Sequence, residues 1–188
     1  VNGDGYCDVI VGAPLSGGTG AAYIFLGGPG GLAAAPSLTL TGTAASRFGA
    51  SVSTAGDINA DGRSEVLIGA PDANEVYLHL GSSGGTSPIA ANTLTQGPLG
   101  SLFGASVATA GDVNGDGYSD IIIGASGFTN GQAGEGAAFI YHGYVSGLVT
   151  PFAIQLEQNL AGASFGCSVA GAGDVNGNGF FEVIVGAE

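Results

Sequence analysis

The sequence predicts an all-β chain of β-propeller-type, four-stranded antiparallel blades, about three of them with partial ones beside. Three observations carry this. An acidic loop of fixed grammar recurs at steps of 57, 55 and 62 residues. Each copy runs into a short apolar strand ending in Gly-Ala. Glycine supplies 38 of the 188 residues and bounds the apolar runs, the punctuation of many short strands and tight turns. A solenoid of short coils would repeat at a shorter period.

The elements follow in order within each unit. Phe-Gly comes first, as Phe48-Gly49, Phe103-Gly104 and Phe165-Gly166. A strand of small residues follows at 51–55, 106–110 and 168–172, suited to the crowded inner edge where blades converge. The phenylalanines can then wedge between neighbouring blades, and each following glycine permits close backbone approach or positive φ. The acidic loop leads to a second strand, Val9–Val11, Val66–Ile68, Ile121–Ile123 or Val183–Val185, whose unbroken apolar run predicts burial on both faces. The third strand alternates large residues at 21–26, 75–80 and 137–142, the period of a strand. A weaker fourth strand falls at 37–41, 93–95 and 152–156. The approximate units are 1–47, 48–102, 103–164 and a partial 165–188, read as one propeller segment.

The loops carry the chemistry. They run Asp57–Glu65, Asp112–Asp120 and Asp174–Glu182, with a shortened copy at Asn2–Asp8. Oxygen side chains at positions 1, 3, 5 and 9 of a tight loop suit a hard cation such as Ca2+, which takes six to eight oxygen ligands. Ten of the fifteen acids lie in these loops, so without a cation two or three carboxylates crowd each one. An EF-hand opens on the same Asp-x-Asn-x-Asp-Gly pattern but needs a bidentate Glu at position 12. Here position 12 is Ile68, Ile123 or Val185, inside the apolar strand, and no amphipathic helix follows.

Composition excludes several classes. The net charge is −13, with Arg47 and Arg63 the only fixed cations, which removes nucleic acid as a partner. No apolar run is long enough for a membrane span. Cys7 and Cys167 are too few for a disulfide framework and read either as separate thiols or as one bridge. His79 and His142 fall on third strands and read as strand histidines rather than catalytic groups. No Ser-His-Asp grouping, reactive-Cys motif or phosphate loop is present. Gly27–Gly31 and Gly81–Gly85 read as turns.

With Phe48-Gly49 and Gly69-Ala-Pro71, Phe103-Gly104 and Gly124-Ala-Ser126, Phe165-Gly166 and Gly186-Ala-Glu188, and Gly12-Ala-Pro14, the chain resembles the FG-GAP repeat family of integrin α-subunit propellers. The resemblance implies Ca2+ in the loop between the first and second strands, one ion per loop. Its ligands would be Asp57, Asn59, Asp61 and Glu65 with the Arg63 carbonyl, and Asp112, Asn114, Asp116 and Asp120 with the Tyr118 carbonyl. The last loop, with Asp174, Asn176, Asn178, Glu182 and the Phe180 carbonyl, carries fewer charges and implies weaker binding. The first retains Asn2, Asp4, Asp8 and the Tyr6 carbonyl and is incomplete.

The family ring usually has seven blades, about 400 residues at this period. This chain holds a little over three and reads as part of something longer, or as a unit that self-associates into a homo-oligomer or filament. The resemblance implies a non-catalytic, extracellular or cell-surface Ca2+-binding module for adhesion or structural assembly, with a protein partner and no membrane insertion. The alternative is the propeller portion of a secreted enzyme or carbohydrate-binding protein.

Overall fold

The apolar runs pair into antiparallel sheets within each repeat. The computed structural model describes residues 1–188. Its first sheet joins β1 (Val9–Ala13), β2 (Ala21–Phe25) and β3 (Leu38–Thr41). The second begins with β4 (Ser51–Gly56), β5 (Glu65–Ala70) and β6 (Glu75–His79). A small hairpin, β7 (Gly81–Ser82) with β8 (Gly85–Thr86), interrupts it before the outer strand β9 (Asn92–Thr95). The third repeats this plan with β10 (Phe103–Gly111), β11 (Asp120–Ala125) and β12 (Ala137–Tyr141). Its hairpin is β13 (Gly143–Tyr144) with β14 (Gly147–Leu148), and its outer strand is β15 (Ile154–Leu156). The last sheet pairs β16 (Ser168–Gly173) with β17 (Glu182–Gly186). The only helical element is a 3-10 turn at Ser16–Gly18. The chain is all-β, and the sheets succeed one another as propeller blades without closing a ring.

Two expectations are refined. The second strand is buried on both faces in β5 and β11, but β1 and β17 are partly exposed. Burial on both faces needs a neighbouring sheet on each side, which only the two middle sheets have. Of the two segments expected as turns, Gly27–Gly31 is one, closed by the Gly31 N–H donating to the Gly28 carbonyl at 2.9 Å, whereas Gly81–Gly85 falls in the hairpin β7–β8, and β13–β14 repeats that hairpin in the third sheet. His142 falls just beyond β12 rather than on it.

The core lies between sheets, not within one. Phe48 packs with Ala22 and Ile24 of the first sheet and Val66 and Ile68 of the second. Phe103 packs with Leu67, Val76 and Leu78 of the second and Ile121, Ile123 and Phe139 of the third. Phe165 packs with Ile122, Ala138 and Ile140, against Val169 and Val183 of the last. Each Phe-Gly phenylalanine is thus a wedge at one inter-sheet seam, and burying such a ring stabilises by about 1.5–3 kcal/mol.

The glycines of the repeat set the seam. Gly49, Gly104 and Gly166 have φ of 85°, 88° and 86°, which L side chains rarely adopt. Their carbonyl oxygens lie against Gly12, Gly69 and Gly124 of the preceding sheet, so closely that a Cβ on any of these three would collide with them. Two serines add polar links across seams: the Ser51 hydroxyl donates to the Gly104 carbonyl at 2.7 Å, and the Val169 N–H donates to the Ser106 hydroxyl at 3.0 Å.

The seam predicts the effect of one methyl group. Gly124→Ala is expected to destabilise by about 1–3 kcal/mol, because the Gly166 backbone must move. Gly28→Ala, where a Cβ meets nothing within 4 Å, is expected to be near neutral. Urea unfolding of the two variants checks this.

Candidate metal centre

Each acidic loop is built by its own backbone. The first strand ends in a register shift before Gly56, Gly111 or Gly173, which releases the chain into the loop. The position-1 carboxylate then folds the loop around itself. Asp57 accepts N–H bonds from Asp61 at 3.0 Å and Gly62 at 2.8 Å. Asp112 accepts from Gly115, Asp116 and Gly117, and Asp174 from Gly177, Asn178 and Gly179, at 2.7–3.0 Å. These bonds, led by the one from Gly179, hold the Asp174 carboxyl below its ordinary value. The position-5 side chain in turn caps the N–H of position 7, as Asp61 does for Arg63 at 2.9 Å and Asp116 for Tyr118 at 3.0 Å.

Position 9 does something the sequence did not reveal. One oxygen of Glu65 accepts the Ile58 N–H at 2.8 Å and the other accepts the Gly81 N–H at 3.4 Å. Asp120 repeats this with Val113 and Gly143, both at 2.9 Å, and Asp8 takes the Gly27 N–H at 2.9 Å. Glu182 takes the Val175 N–H at 2.8 Å and the Asn176 side-chain amide. The acid thus clamps the loop to the end of the third strand. The recurring Gly27, Gly81 and Gly143 were the available signal, since each leaves no room for a Cβ against the loop backbone.

The clamp is buried. Glu65 and Asp120 are both fully shielded from solvent. Burial lifts the Glu65 carboxyl to about 7, against the two backbone bonds and with the help of Asp57 and Asp61. Burial raises Asp120 as well, opposed by the Gly143 and Val113 amides and by His142, whose Nδ1 lies 3.2 Å from Oδ2.

The loops differ in what they gather. In the second loop, ligand atoms of Asp57, Asp61 and Glu65 all lie within 4.8 Å of one another. Asn59 sits between them, its oxygen accepting the Asp61 N–H at 3.0 Å. Each Asp57 oxygen spends one lone pair on an amide and keeps another, so an all-oxygen donor set fits a hard divalent cation. Asp112, Asp116 and Asp120 of the third loop do not form such a group. There the Asn114 amide turns onto Asp116 at 2.9 Å. In the fourth loop Asn178 caps the Phe180 N–H at 2.8 Å. In the first, Asn2 bonds Asp4 at 2.8 Å, Asp4 caps the Tyr6 N–H at 3.0 Å, and Asp8 is held by its clamp. Successive loops are also stitched together: the Asp57 carbonyl accepts the Ser119 N–H at 3.1 Å, and the Asp112 carbonyl accepts the Phe181 N–H at 3.0 Å. Cys7 and Cys167 are both free thiols.

Comparison with known proteins agrees with this architecture. The family model described as FG-GAP repeat matches residues 103–141, and that described as FG-GAP-like repeat matches residues 1–68. Integrin alpha-7 of Rattus norvegicus is 36% identical over 162 residues, covering 81% of this chain and 14% of that protein. Integrin alpha-4 of Xenopus laevis is 33% identical over 201 residues, covering 98% and 18%. Integrin alpha-IIb of Mus musculus is 39% identical over 160 residues, covering 76% and 15%. The chain spans less than a fifth of the length of these relatives.

Two outcomes follow from the clamp. Asp120→Asn offers one acceptor where two buried amides need partners, so in chelator it is expected to cost about 1–3 kcal/mol in urea unfolding. Glu65 gives a pH signature. Its folded value of about 7 lies above the ordinary 4.5, so its contribution in metal-free protein is fully present below pH 4.5 and is lost as pH rises through about 7. Glu65→Gln mimics the protonated form and lacks that loss. The difference in melting temperature between variant and wild type, measured in chelator, is expected to grow in the variant's favour from pH 4.5 to 7 and then level off.

Proposed function

Because this chain belongs to the FG-GAP repeat family, we propose that it is a non-catalytic Ca2+-binding module of an extracellular or cell-surface protein. It would serve adhesion or structural assembly through a protein partner. The observation that carries the reading is the meeting of Asp57, Asp61 and Glu65 within 4.8 Å in a hairpin whose donors are all oxygen. The integrin alpha relatives support the adhesion class.

In this reading Asp57, Asn59, Asp61, Glu65 and the Arg63 carbonyl hold one ion. Asp112, Asn114, Asp116, Asp120 and the Tyr118 carbonyl hold a second. The fourth loop, with two charged ligands, binds more weakly. Bound Ca2+ supplies the positive charge that lets these carboxylates share one hairpin. The protein's part is positional. Backbone amides aim the position-1 oxygens, and the position-9 clamp fixes the hairpin against the third strand. The stitching between loops then joins the hairpins into one stiffened rim.

The test is thermal unfolding with Ca2+ and with excess EGTA. Affinity of about 10^-4 to 10^-3 M is expected for an extracellular site. Ca2+ at a hundredfold excess over Kd is expected to add about 2.7 kcal/mol per site. Asp61→Asn is expected to shrink that gain. A melting temperature unchanged by EGTA would refute the reading.

A further inference from the structure

Five asparagines in this chain are followed by glycine: Asn2, Asn114, Asn130, Asn176 and Asn178. Such a pair can rearrange without an enzyme, because glycine has no Cβ to shield its backbone nitrogen from the side chain before it. Whether it does so depends on what holds that nitrogen and that side chain. Asn2 lies in the shortened loop; the other four can be compared directly.

Three of the four are held. The Gly115 N–H donates to Asp112 at 2.7 Å, and the Gly177 and Gly179 N–H groups donate to Asp174 at 2.7 and 2.8 Å. The asparagine side chains are engaged as well. Asn114 accepts the Asp116 N–H at 3.0 Å, Asn178 accepts the Phe180 N–H at 2.8 Å, and Asn176 donates to Glu182. A charge-assisted bond must break before such a glycine nitrogen can turn on its neighbour, so the acidic loop protects these asparagines.

Asn130 is the exception. It lies in the loop joining β11 to β12, where Thr129, Asn130 and Gly131 are exposed. The Gly131 N–H donates to no group of the protein, and the space around Gly131 is open. The side-chain carbonyl of Asn130 is free, while its amide donates to Glu157 at 3.2 and 3.3 Å. Its backbone N–H is taken by Glu135, which is fully shielded from solvent.

The same loop latches a seam. The carbonyls of Ala133, Gly134 and Glu135 accept the N–H groups of Gly162, Ser164 and Phe165 at 2.9–3.1 Å, and Phe128 packs edge to face on Phe139 at 5.4 Å. Phe165 is the wedge between the third and last sheets. No cation stands near this latch, since Arg47 lies by Asp72 and Arg63 by Asp61.

We propose that Asn130 is a site of spontaneous deamidation, and that the change loosens the seam at Phe165. The Gly131 nitrogen gives up its proton and attacks Asn130 Cγ. The bond from Cγ to Nδ2 breaks, and the side-chain nitrogen leaves as ammonia. Water then opens the five-membered imide, at one carbonyl to aspartate and at the other to isoaspartate. Either product replaces the donor to Glu157 with a carboxylate, and like charges repel. Isoaspartate also adds a carbon to the backbone of the latch.

The test incubates the whole chain in Ca2+-replete buffer at physiological temperature and mildly alkaline pH, which favours loss of the amide proton. Proteolytic peptides are followed by mass spectrometry. Asn130 is expected to gain one mass unit, as a mixture of aspartate and isoaspartate, at least tenfold faster than Asn114, Asn176 and Asn178. In urea the four are expected to react at similar rates, because the loop bonds are gone. Hydrogen exchange at Gly162, Ser164 and Phe165 is expected to quicken in aged protein and in Asn130→Asp, with the effect in Asn130→Asp shrinking at high salt. In Asn130→Gln, which has no short route to the imide, exchange is expected to be the same before and after incubation. Asn130 reacting no faster than the other three overturns the site. Unchanged exchange at the three amides in fully deamidated protein overturns the effect on the seam.

Discussion

Backbone touching backbone is the constraint on which this fold rests. Gly12, Gly69 and Gly124 meet the carbonyls of Gly49, Gly104 and Gly166 with no side chain between them. That contact fixes how near two sheets come at their inner strands. The spacing in turn decides that Phe48, Phe103 and Phe165 fill the seams and that small residues line β4, β10 and β16. It also brings successive acidic loops close enough for Asp57 and Asp112 to accept bonds from the next loop. Both halves of the Phe-Gly and Gly-Ala signatures are therefore explained by one approach of two backbone segments.

The acidic loop serves structure and ligand chemistry with the same atoms. The carboxylate at position 9 pairs two amides from distant segments before any cation is considered, and its burial makes an unpaired alternative expensive. The loops then differ in what position 9 meets. Glu65 reaches toward Asp57 and Asp61 from its clamped position, whereas Asp120 meets His142 instead.

Much of the fold was legible because it is written locally. Alternation at 21–25 and 75–79, the apolar runs at 66–68 and 121–123, and the repeated Phe-Gly all register within a few residues. What escaped was written across segments. Gly81 looked like a turn residue, Gly143 belonged to no motif, and nothing near them in sequence pointed to Glu65 or Asp120. The hairpins β7–β8 and β13–β14 are two residues per strand, too short for alternation to show. The exposure of β1 and β17 depends on which sheets flank them, a property no single strand encodes. For the candidate site, the oxygen-bearing positions were readable, but which loop gathers its carboxylates depends on the three-dimensional placement of side chains that no single position encodes.

A joint made of main-chain atoms is blind to the identity of what surrounds it. Successive copies can diverge in their outer walls, as Phe25, His79 and Tyr141 have at one register, while meeting their neighbours in the same way. Duplication of a unit then adds a compatible slot without redesign, and each slot is free to specialise. Array length becomes a question of counting, and diversity accumulates at the periphery while the hub stays uniform.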